Sequence, residues 1–225
     1  MGLRGPLVVV VALLAACSTT RSVRPAGEGN LSAGLSVGGP IFTNLGPAIP
    51  VPLTTLWGRY GLNEKTDLDF GLHVPIVASV GVDAGASRLL LDQAGLRPAV
   101  MAGGRLHLYA NPLAFIGAED PNGQPYGLGF RVFEELHANA SWLLGKKTLV
   151  WVSLVVFAQV EALVARPALG VGVEWRPVPS FGMTLELRQM AFLTDQRFAA
   201  VAYVGPADLG ALSVQVGFNF HPGAK

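Results

Sequence analysis

His73, His107 and His137 fall on the polar side of alternating segments, with Asp67, Asp69, Ser141 and Ser153 as available partners. These are the residue types of a Ser–His–acid hydrolase, here one that would act on lipid or peptide. Such chemistry needs nucleophile, base and orienting acid to converge near one rim. The spacing matches no barrel protease or acyltransferase, and a histidine beside a carboxylate in a packed polar interior is usually structural. No catalytic residue is assigned. The histidines and carboxylates form no HxH or HExxH pair, so no metal site and no cofactor are assigned either. Gly127-Leu128-Gly129 and Gly170-Val171-Gly172 lie in strand-like segments without phosphate-loop context, where glycine relieves crowding or eases curvature.

A different chemistry is suggested at Cys17, the single cysteine among 225 residues. Arg4 supplies a positive start, Leu7 to Leu14 a short apolar run, and Ala15-Ala16 the small residues that precede a signal-peptidase cut. Leu14-Ala15-Ala16-Cys17 resembles the lipobox of bacterial lipoproteins. That resemblance implies lipidation of Cys17, which becomes the first residue of the exported chain. Ser18 in place of Asp then implies sorting to the outer membrane. One cysteine allows no disulfide framework, whatever the redox compartment. The apolar run is too short to remain as a spanning helix.

Composition narrows the class of the rest. Sixteen basic residues against fifteen acidic ones give a formal charge of +1, which offers no basic field for nucleic acid. Charged residues make up 14% of the chain, hydrophobic ones 51%, and glycine 28 of 225. Apolar, glycine-rich and poor in charge, yet without a clean helical span, the chain suits a barrel whose outer face meets lipid. Ser18 to Gly29, polar and containing Arg21, Arg24 and Pro25, reads as a flexible tether. The domains expected are a signal peptide over 1–16, a lipid-anchored tether over 17–28, a β-barrel over 29–221 and a tail over 222–225.

Period-2 alternation carries the strand assignment. Leu68, Phe70, Leu72, Val74 and Ile76 share one face, opposite Asp67, Asp69, Gly71 and His73. Leu212, Val214, Val216, Phe218 and Phe220 likewise alternate with Ser213, Gln215, Gly217 and Asn219. A 3.6-residue period would scatter both sets around a helix axis. Further strands are expected at 31–37, 53–61, 100–109, 128–144, 148–163, 169–176 and around 184–188. Leu149 to Ala165 is nearly continuous in apolar character, but its many valines favour a strand apolar on both faces over a helix.

Three short turns, Asn63-Glu64-Lys65, Gly145-Lys146-Lys147 and Pro177 to Ser180, are assigned to the periplasmic side. An even number of strands must separate them. Only three are evident between the first two, so a fourth is required, with Leu113 to Ala118 the nominee and Glu119 to Gly127 an external loop. The expected fold is all-β: an antiparallel up-and-down membrane β-barrel of about ten strands, with eight as the other count considered. Trp57, Tyr60, Tyr109, Trp142, Trp151 and Trp175 are expected in interfacial aromatic girdles.

The lumen-facing charges on this reading are Arg59, Asp67, Asp69, Arg105, Arg131, Glu135, Glu161, Glu174, Arg176, Glu186 and Arg188. Five positive and six negative groups in a narrow barrel would pair across strands, giving a salt-bridged plug or a narrow polar path. Glu134 falls on the apolar face, which suggests a bulge at Phe133-Glu134 or a place near water. The alternation, the lipobox and the closing Val216-Gly217-Phe218-Asn219-Phe220 together resemble small bacterial outer-membrane β-barrel proteins. That resemblance implies the outer membrane as location. It also implies lipid contact through Cys17 and the barrel exterior, and dependence on the barrel-assembly and lipoprotein-sorting machinery. The function expected is structural or small-solute passage, without enzymatic activity. The alternatives are a periplasmic lipoprotein whose soluble β-barrel or sandwich binds a hydrophobic ligand, and an outer-membrane barrel hydrolase.

Overall fold

A computed structural model describes residues 21–42, 49–50, 53–75, 80–110, 130–159, 164–195, 204 and 209–222. Ten long strands, each of 9 to 15 residues, run in sequence: β1 (Leu31–Phe42), β3 (Leu53–Gly61), β4 (Thr66–Pro75), β5 (Val80–Leu91), β6 (Ala99–Ala110), β7 (Phe130–Leu144), β8 (Thr148–Gln159), β9 (Val164–Val178), β10 (Phe181–Asp195) and β11 (Leu209–Phe220). A two-residue strand, β2 (Ile49–Pro50), pairs only with the end of β1. Each long strand is antiparallel to the next, and β1 pairs with β11 from Ala33↔Phe220 to Pro40↔Ser213. The sheet is thus a closed ten-stranded up-and-down barrel, a form that leaves no edge strand open.

The three turns expected on one side do share an end, here called the turn end, together with the residue 92–98 connection. Four strands lie between the first and second of them and two between the second and third. The fourth strand is β5, however, and the nominated Leu113 to Ala118 lies outside the described residues, as does Glu119 to Gly127. β5 escapes the pattern because Ala84 and Ala86 face out while Gly81 and Gly85 face in, which leaves little contrast in side-chain size. The 149–165 stretch is strand β8 as far as Gln159. Leu149, Trp151, Val155 and Phe157 are buried there, and Val152 and Leu154 are exposed.

Alternation sorts the two faces of the wall. Exposed on the outside are Leu56, Leu68, Phe70, Val82, Leu106, Leu136, Leu154, Val171, Leu185 and Val216. These residues come from nine successive strands and form a belt far more extensive than the scattered apolar residues of a soluble surface. Inside, an apolar layer lies near the opposite, loop end. Leu53 of β3 clusters with Val155 and Phe157 of β8, Ala168 of β9 and Met190 of β10. β3 and β8 are five places apart in the ring of ten, so this layer reaches across the lumen from one wall to the facing one. Tyr109 and Phe133 meet edge-to-face at 5.9 Å beside it.

The aromatic girdle is smaller than expected. Trp57, Tyr109 and Trp151 are buried inside the wall. They share strand parity with Arg59, His107 and Ser153, and parity, not distance from a strand end, decides the face. Tyr60 and Trp175 face outward near the turn end, and Trp142 is half-buried there. No bulge occurs at Glu134, since β7 pairs without a break to β6 and β8 through that residue. Its side chain is exposed on the outer wall.

Candidate functional site

Inward-facing positions on β3 to β7 assemble a buried charged cluster below the apolar layer. Arg59, 1% exposed, donates from Nε to Asp69 Oδ1 at 2.7 Å, with Asp67 Oδ2 at 3.6 Å. Ser87 Oγ donates to Asp69 Oδ2. Arg105 donates to Glu135 Oε1 at 2.7 Å, and its Nε lies 4.0 Å from Asp69. His107 Nε2 lies 3.0 Å from Glu135 Oε2, and His137 Nδ1 lies 3.0 Å from Glu135 Oε1. Desolvated charges need partners of this quality, and each carboxylate here has at least one.

The segment read as a flexible tether enters this cluster. Arg21, Ser22 and Val23 are buried. Arg21 pairs with Asp83, which also meets His73 Nε2 at 2.6 Å. Arg59 Nη1 donates to the carbonyls of Ser22 at 2.5 Å and Arg24 at 3.0 Å. The Ala26 amide donates to Asp67 Oδ1 at 3.2 Å, and Val23 packs with Leu149 and Trp151. A polar, proline-containing composition predicts freedom only when nothing of opposite charge awaits the segment. Here carboxylates more than forty residues away receive it. A cavity of about 20 Å³, room for about one water, lies beside Arg21, Arg105, Glu135 and Arg188.

The other sequence-assigned charges are not all in this cluster. Glu186 pairs with Arg188, both buried, and Glu174 accepts from Arg176 Nε at 2.9 Å. Arg131 is half-buried at the loop end of β7, and Glu161 and Cys17 lie outside the described residues.

Barrel closure creates one arrangement the sequence reading missed. Ser32 Oγ lies 3.2 Å from His221 Nδ1, and His221 Nε2 lies 3.0 Å from Glu174 Oε1. Ser32 and His221 are 189 positions apart, but pairing of β1 with β11 puts them side by side. This is a Ser–His–acid line, yet its hydroxyl belongs to a residue only 3% exposed. Gly34-Leu35-Ser36-Val37-Gly38, which the sequence reading overlooked, has the letters of a nucleophile elbow, but it lies within strand β1, and Ser36 Oγ is buried without a partner among the described residues. An elbow requires a strand-to-helix turn that exposes the serine. His73, Asp83 and His107 also bring one ligand atom each within 4.8 Å of one another. The Arg21 guanidinium already occupies that carboxylate, so a cation would have to displace it.

No protein-family profile matches the chain, and no curated protein matches its sequence. Among solved structures it is similar to the KdgM porin, with TM-score 0.46, 8% identity, and 84% of this chain and 98% of that chain covered. It is similar to the translocator domain of the autotransporter NalP from Neisseria meningitidis at TM-score 0.44 and 11% identity, covering 93% and 92%. The outer membrane protease OmpT from Escherichia coli follows at TM-score 0.39 and 10% identity, covering 89% and 96%.

Proposed function

We propose that the chain is a lipid-anchored, non-enzymatic β-barrel of the bacterial outer membrane. Its role is structural, with passage of small solutes only when the lumen opens. The observation that supports this is the reversal of polarity across the wall: aliphatic side chains face out on successive strands, and ion pairs are buried within. A soluble ligand-binding barrel places its apolar side chains inward, so the same alternation would be inverted. Residues 1–16 are the signal peptide in this reading, Cys17 the lipidated residue, and 17–28 the leader into a barrel over 29–221. Folding then depends on the barrel-assembly machinery, and delivery on lipoprotein sorting.

The test is heat-modifiability of membrane-extracted protein on SDS gels, with Cys17→Ser alongside. The expected result is a fast unheated band that shifts on boiling in both proteins, and palmitate labelling in the wild type only. Coincident bands, with release of Cys17→Ser into water, overturn the membrane barrel in favour of a tethered soluble domain. The Ser32–His221–Glu174 line favours a second reading as a hydrolase. Labelling of Ser32 by a fluorophosphonate would establish it; an unlabelled protein leaves the line a structural bridge.

A further inference from the structure

Gly71 faces the lumen on β4 without a side chain, and that emptiness is used. A Cβ there would overlap Asp83 Oδ2 and Arg21 Nη2. The guanidinium of Arg21 lies in the resulting slot, with Asp83 Oδ2 accepting from Nη2 and the Phe70 carbonyl 3.4 Å from Nη1. His73 Nε2 lies 2.6 Å from the same Asp83 oxygen, and its Nδ1 is held at 2.9 Å by Thr55 Oγ1. The slot is therefore built on the wall by residues whose own partners fix them. A carboxylate and a carbonyl addressed by two nitrogens of one planar group suit a guanidinium better than a point-like ammonium.

The occupant fits incompletely. Asp83 Oδ1 and Arg21 Nε are both buried and have no hydrogen-bond partner among the described residues. A guanidinium not constrained by this backbone could turn to use both carboxylate oxygens. The segment behind Arg21 is held mainly by side chains: Arg59 on two carbonyls, Asp67 on the Ala26 amide, and Gln93 on Arg24 at 2.5 Å. It can leave without breaking a strand pairing. Charge points the same way. Around it the wall contributes four carboxylates (Asp67, Asp69, Asp83 and Glu135) and two arginines (Arg59 and Arg105), so 4 − 2 leaves two negative charges. Arg21 and Arg24 bring two positive ones.

We propose that Gly71, His73 and Asp83 form a guanidinium-binding site occupied in cis by Arg21. The N-terminal segment is then a tethered plug, and the vacated site takes a small arginine-like cation. This rests on the barrel interior alone and holds whether or not the exterior meets lipid.

The experiment is titration calorimetry of L-argininamide into the full chain folded in detergent. Arg21→Ala is expected to bind one equivalent, with affinity at least tenfold above wild type and above Arg21→Ala/Asp83→Asn. Lysinamide is expected to bind at least tenfold more weakly than argininamide. Absence of binding to folded Arg21→Ala, or equal binding to all three proteins, overturns the site. Should Arg21→Ala fail to fold, thermolysin cleavage at Val23 of the wild-type chain decides. Added argininamide is expected to accelerate that cut several-fold, and an unchanged rate overturns the proposal.

Discussion

Leu154→Arg places a charge where the polarity of the wall makes its strongest claim. Leu154 sits near the middle of β8, 46% exposed on the outer face. Its register neighbours are Ala138 on β7 and Leu169 on β9, both exposed and neither able to accept a hydrogen bond through its side chain. An arginine at the midplane of a barrel's lipid face costs about 2–4 kcal/mol, falling to about 0–1 near the interfaces. At about 1.4 kcal/mol per factor of ten, the folding equilibrium in a bilayer should fall roughly 30- to 1000-fold. On a soluble protein's surface the same change stays within about 0.5 kcal/mol. The assay is urea-titrated folding into phospholipid vesicles, read as the heat-shifted gel band. Leu144→Arg, exposed at the turn end of β7, and Leu96→Arg, 94% exposed in the 92–98 connection, complete the series. The expected order is a large loss at 154 and a small or negligible one at 144 and 96. Equal losses at all three, or a loss at 154 below about 0.5 kcal/mol, would refute the lipid-facing assignment.

Two further changes address the interior and the acid exposed on the outer face of β7. Phe157→Ala empties the apolar layer beside His107, whose ring centre is 6.1 Å away, and should cost about 3–5 kcal/mol in the same urea titration; a loss below 1 kcal/mol would mean the layer is not packed. Glu134→Leu removes an exposed carboxylate from the outer wall and should stabilise the vesicle-folded barrel by up to about 2 kcal/mol. Destabilisation instead would show that Glu134 meets water or a partner.

What could be read in the sequence follows the contrast between faces. β4 and β11 were legible because large aliphatic or aromatic side chains alternate there with small or polar ones. In β5 alanine and glycine weaken that contrast, and the even-strand rule could count the missing strand but not locate it. The wall's charges were legible for the same reason as its strands. Arg59, Asp69, Arg105 and Glu135 stand at inward parity, and parity is a local property. Their partners were not. Asp83 lay in the unrecognised strand. Arg21 lay in a segment whose composition reads as linker, and Ser32 meets His221 only because the first and last strands pair. Each of these is a long-range encounter, which periodicity within one segment does not encode.

The two obstructions that the described residues place in the lumen are of different kinds, and the difference separates binding from conduction. At the turn end the segment around Arg21 is held chiefly by side-chain hydrogen bonds and ion pairs, which competing solute can replace one by one. Only Val23 among its described residues adds an apolar contact, with Leu149 and Trp151. Toward the loop end Leu53, Val155, Phe157, Ala168 and Met190 form one apolar cluster from β3 to β10, and parting them exposes apolar surface with no replacement from a polar solute. Withdrawing the segment therefore opens a vestibule onto Asp83 and leaves the far layer shut. A barrel built this way can take up a cation from its turn side without passing it on. Conduction requires a second event, in which the wall carrying Leu53 moves away from β8.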